Sequence, residues 1–92
     1  MNYSTAFNHP LYVAAKSAVK DLNVLPKAGR LKGCFDIGGF NEDHMPAVCY
    51  YHFIADRRCK GGARYIKTIW LRPSVDALDL VKVGEALLKD LE

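Results

Sequence analysis

The sequence predicts an α+β domain built as helix, three-stranded antiparallel meander and helix, with both helices mainly on one sheet face. Three observations carry this. Apolar residues recur at helical spacing near both ends of the chain, β-branched and aromatic residues fill the middle, and glycine and proline punctuate the boundaries. The 92 residues suit a single domain, 1–92, with a modest core.

The first helix is predicted over residues 10–22. Leu11, Ala14, Ala15, Ala18, Val19 and Leu22 share one face, while Tyr12, Lys16 and Lys20 lie on the other. Pro10 suits a first turn, where its missing N–H costs nothing, and Pro26 bars continuation. His9 falls near the helix start and carries no assigned function.

Three strand-like runs follow, over 30–37, 47–56 and 63–72. The last two are rich in aromatic and β-branched residues and flank the glycine-containing "RRCKGG", which marks a hairpin. The second helix is predicted over 75–91. Ala77, Leu80, Val81, Gly84, Leu87, Leu88 and Leu91 form its apolar stripe, Ser74 is positioned to cap it, and Asp76 and Asp79 complement its dipole. Gly84 on that stripe either admits another backbone or breaks the helix.

The second and third strands are apolar on both faces. With an even hairpin loop, Cys49, Tyr51 and Phe53 share a face with Ile66, Thr68 and Trp70, which leaves Tyr50, His52, Ile54, Tyr65, Ile69 and Leu71 on the other. Two helices on one side leave the other face bare, and a bare apolar patch of that size asks for cover. The expected contact surface is the face around Tyr50, His52, Tyr65 and Ile69. A second copy in a homodimer, a partner protein or a displaced helix would bury it; one helix on each face is the alternative.

Charge is segregated. Arg57, Arg58, Lys60, Arg64, Lys67 and Arg72 run without an intervening acid, whereas the segment 74–92 carries five acidic residues and two lysines. The hairpin residues Arg57, Arg58, Lys60 and Arg64 are therefore a candidate grip for phosphates or for an acidic protein surface. The net charge of +3 selects no partner by itself.

Other chemistry finds little support. Cys34, Cys49 and Cys59 are odd in number and widely spaced, which reads as free thiols in a reducing cytoplasm. With His44 and His52 they show no zinc-ligand spacing, so neither metal nor cofactor is expected. Cys59, between Arg58 and Lys60, is the thiol with the most reactive setting. Glu42, Asp43 and His44 are a polar loop cluster, and neither Gly-Gly pair extends into a phosphate loop. No signal peptide or membrane-length apolar run is visible, so no membrane association is expected.

The element order and length resemble those of the double-stranded-RNA-binding domain. That family meets phosphates with a basic cluster at the start of its last helix. Here Asp76 and Asp79 occupy that stretch, and His44 matches the family's loop histidine only in rough position. The resemblance implies the fold and not the ligand. In profile, as a short chain without catalytic motifs, the protein resembles small inhibitors encoded by phages and mobile elements, anti-CRISPR proteins among them. The expected function is a non-enzymatic interaction module that binds and blocks a partner protein, with nucleic-acid binding through hairpin 57–64 as the alternative.

Overall fold

A computed structural model describes residues 8–38 and 46–92. The elements are α1 (Pro10–Asn23), β1 (Cys34–Ile37), β2 (Val48–Ala55), β3 (Ala63–Trp70) and α2 (Ala77–Leu91). The strands form one antiparallel sheet in the order β1-β2-β3. This is the α+β, helix–meander–helix architecture that the sequence predicts. Glu42, Asp43 and His44 lie outside the described residues.

Local chemistry sets the helix ends. Pro10 occupies the first turn of α1, and the His9 side chain accepts the Leu11 N–H at 3.1 Å, so His9 is a helix cap. In α2 the cap is Asp76 rather than Ser74. Asp76 Oδ1 accepts the Leu78 N–H at 3.0 Å, and Ser74 Oγ accepts the N–H of Asp76 at 3.1 Å. Placing the carboxylate at the cap puts a full charge against the positive end of the helix dipole.

The core joins both helices to one face of the sheet. Ala14, Ala15, Ala18 and Leu22 of α1 and Leu80 and Leu88 of α2 pack with Phe35, Val48, Tyr50 and Leu71. The alanines keep α1 close to its neighbours. Gly84 does the same for α2, in an unbroken helix. A Cβ there would lie 2.6 and 2.8 Å from the Leu22 methyl carbons, so what approaches Gly84 is a side chain and not a backbone.

At the end of α1, Asn23 meets the outer edge of the sheet. Its Nδ2 donates to the Phe35 carbonyl and its Oδ1 accepts the Phe35 N–H, both at 2.8 Å. The amide stands in for a neighbouring strand and closes an edge that would otherwise expose unpaired backbone.

The covered face is the one around Tyr50, which corrects the expectation for the contact surface. Tyr50 is fully buried, and His52 is 8% exposed. The Tyr50 ring lies 4.8 Å from Phe35 and 5.8 Å from His52, centroid to centroid. Ile69, opposite Tyr50 in the register, is partly buried against the same core. The reason is visible in β1, where Phe35 and Ile37 face the helices while Cys34 and Asp36 face away. Burying the other face would bury the Asp36 charge without a partner.

The tightly held Tyr50 carries a local cost. Its hydroxyl is buried with no hydrogen-bond partner among the described residues. Burial pushes it above the ordinary tyrosine range, and Cys34 adds to this while the Gly33 backbone partly opposes it. Gly33 is needed because a Cβ would run into Tyr50 Oη and would lie 2.5 Å from the Tyr51 carbonyl.

Tyr50→Phe removes an unpaired buried polar group at constant shape, and we expect it to leave stability unchanged or raise it by about 1 kcal/mol in a urea melt. Gly84→Ala gains about 1 kcal/mol in helix propensity but forces Leu22, fully buried, out of place. The expected net result is a loss of about 1 kcal/mol, read from the shift of the same midpoint.

Candidate interaction surface

The face turned away from the helices is organised in rows by the strand register. Lys32 donates its N–H to the Phe53 carbonyl at 3.0 Å, and Phe53 pairs with Tyr65. Cys34 pairs with Tyr51, which pairs with Thr68. Asp36 pairs with Cys49, which pairs with Trp70. No described helix lies on this side. Trp70 is 51% exposed and Tyr65 52%, with Tyr51 and Phe53 partly exposed between them.

Contacts within the face hold these rings. Phe53 and Tyr65 meet edge to face at 5.5 Å, and Tyr65 Oη lies 2.9 Å from Thr68 Oγ1. Trp70 lies across Gly38, where a Cβ would collide with its ring and come within 3.2 Å of Cys49 Sγ. Burial, reinforced by Asp36 and Cys34, holds the Cys49 thiol above the ordinary range even though Tyr51 opposes it. Cys49 therefore serves as packing beneath Trp70 and is a poor nucleophile.

Tyr65 reaches this face through an irregularity. The loop between Ala55 and Ala63 spans residues 56–62, an odd number, where the sequence suggested an even one. The register then shifts between His52 and Phe53, and Ile66 is the extra residue on β3. The two departures cancel beyond the bulge. Tyr51 and Cys49 therefore share their face with Thr68 and Trp70, as the sequence suggested, while Tyr65 moves away from Tyr50 and His52.

The basic residues gather at the hairpin end, with a counterweight. Asp56 Oδ1 accepts the Arg58 N–H at 3.0 Å and lies 3.4 Å from Arg58 Nε; Asp56 Oδ2 lies 3.4 Å from Arg64 Nε. Two of the four hairpin cations thus share one carboxylate, which tempers the acid-free basic run read from the sequence. Arg57 and Lys60 have no ion pair among the described residues. Beside the hairpin, Arg30 donates to the Ala55 carbonyl at 2.6 Å. Arg30, Asp56, Arg57 and Arg58 line an open depression of about 450 Å³.

Sequence reasoning overlooks Arg30 and Lys32 as site residues. Their signal is the alternation with Leu31 and Gly33, which turns both cations to the open face. Cys59 sits partly exposed in the hairpin turn, its N–H bonded to the Asp56 carbonyl at 3.1 Å. His52 is buried on the opposite face. Among the described residues no three potential metal ligands converge, and no helix is long and apolar enough to cross a membrane.

The Arg58 N–H, followed by the Arg58, Arg64 and Arg30 charges, holds the Asp56 carboxyl below the ordinary aspartate range, although desolvation opposes this. A group with a lowered folded pKa stabilises the fold above its unfolded pKa, and that contribution disappears as pH falls through the folded value. Asp56→Asn should therefore lose stability at neutral pH and show a shallower acid decline than wild type below about pH 4, read from urea midpoints across that range. Comparison with protein-family models, curated proteins and solved structures finds no match.

Proposed function

We propose that this chain is a non-enzymatic interaction module that works by occupying a macromolecular surface with the open face of its sheet. The observation that carries this is the pair of half-exposed rings, Trp70 and Tyr65, on a face that no described helix covers. Aromatic rings of this kind are the usual anchors of binding surfaces, because they bring large contact area at small entropic cost. A bare aromatic face is also costly to keep unless something uses it. Blocking a partner protein, in the manner of a small inhibitor, fits a module that carries contact area and no catalytic constellation among its described residues. The free thiols fit a reducing cytoplasm.

Nucleic acid is the second reading, favoured by the cations that crowd one end of the same face: Arg30, Lys32, Arg57, Arg58 and Lys60. Homodimerisation would use the face in a third way, with a second copy as its cover.

A photo-crosslinker at Ile66, beside the open face, should give a discrete adduct in cells that express the chain. The same group at Lys82, exposed on α2, should not. Equal labelling from both positions, or none, defeats the reading. Light scattering at high concentration assigns the cover: a dimer lost in Trp70→Ala means a second copy, and a strict monomer means a foreign partner.

A further inference from the structure

Resting on the open-face reading, we infer that the face binds a short single-stranded nucleic acid, its bases stacked on the aromatic rows and its phosphates held at the hairpin end. Three features of the face argue for this ligand.

The first is the spacing of the rings. The row of Phe53 and Tyr65 and the row of Cys49 and Trp70 stand four residues apart along β2, about 13 Å, with Tyr51 between them. That is room for roughly two or three unstacked bases on an open sheet. Every base offers a π-face, so such a platform is tolerant of sequence.

The second is the charge gradient along the same strands. Arg30 and Lys32 share this face at one end and Asp36 marks the other. Beyond the first end stand Arg57, Arg58 and Lys60. Asp56, the one acid among them, is already engaged by Arg58 and Arg64. A strand of phosphates would find its counter-charge at one end of the aromatic rows, which orients it.

The third feature separates single strands from duplex. In a duplex the base faces are sealed in the stack, and Trp70 and Tyr65 have nothing to stack on. The helix surface that could meet a duplex groove begins with Asp76 and Asp79, which repel phosphate.

The protein supplies its own reporter, because Trp70 is the single tryptophan of the chain. The experiment titrates the full chain with a fluorescein-labelled oligothymidylate and an oligouridylate of about ten nucleotides, within the usual site size. Trp70 emission and fluorescein anisotropy are both followed. A duplex of equal length and heparin, which has charge but no bases, are run alongside. We expect the single strands to quench Trp70 and raise anisotropy, and heparin to leave the emission unquenched.

Trp70→Ala should weaken binding about tenfold or more by anisotropy, with an unchanged circular-dichroism spectrum, and Trp70→Phe should restore most of it. Arg57→Glu/Arg58→Glu should lower the salt slope by roughly 0.7 for each phosphate that the variant no longer neutralises. Acrylamide quenching of the free protein separates the two levels of failure. If acrylamide reaches Trp70 but the oligonucleotides neither bind nor quench near physiological salt, the single-strand inference is wrong and the open face remains for a protein partner. If acrylamide does not reach Trp70, the open-face reading falls as well. Preference for duplex, or binding indifferent to Trp70→Ala, also overturns the inference.

Discussion

The side-chain amide of Asn23 holds both outward backbone groups of Phe35, and this pair of 2.8 Å hydrogen bonds ties the end of α1 to the rim of the sheet. Each bond contributes about 1 kcal/mol, a modest sum. Its geometric effect is larger. With α1 anchored at the β1 edge, Ala14, Ala15, Ala18 and Leu22 settle over Phe35 and Tyr50, and Leu22 in turn receives Gly84 of α2. Both described helices are thereby committed to one side. Among the described residues, a three-stranded sheet with both helices on one side has an opposite face that no helix covers, and every functional argument about this molecule begins there.

The elements themselves were legible because their signals are local. Helical spacing, Pro10, Pro26 and the glycine turn each act within a few residues of themselves. Which face the helices take was less legible, since β2 is apolar on both sides. The answer lay in the short β1, where Phe35 and Ile37 alternate with Cys34 and Asp36. A single carboxylate that resists burial decides more than the seven apolar residues of β2, which accept either side. The placement of Arg30 and Lys32 could be read from the same alternation.

Asp56 illustrates a different limit. The sequence places it just before the basic run, so counting charges from Arg57 onward leaves it out. In space the hairpin folds back, and Asp56 lies between Arg58 and Arg64. The hairpin is held in shape by the carboxylate that reduces its charge. Arg57 and Lys60 remain free of ion pairs among the described residues, so the net field at this end of the face stays positive. Order and charge at the hairpin come from the same residue, and neither could be set without changing the other.

The bulge at Ile66 connects the two halves of the site. Tyr65 and Trp70 are five residues apart, and in a regular strand residues at odd separation point to opposite faces. An uninterrupted β3 would have placed one of the two rings among the helices. The extra residue restores them to the same side, where Tyr65 meets Phe53 and Trp70 covers Cys49. The odd loop puts Arg64 on the side of Ile54, in reach of Asp56. Loop and bulge together therefore set the aromatic face and the ion pair beside it. A bulge costs ladder hydrogen bonds, and a fold that needed only a covered core would gain by losing it. Its presence between the two most exposed rings described on the face supports the binding role proposed for that face.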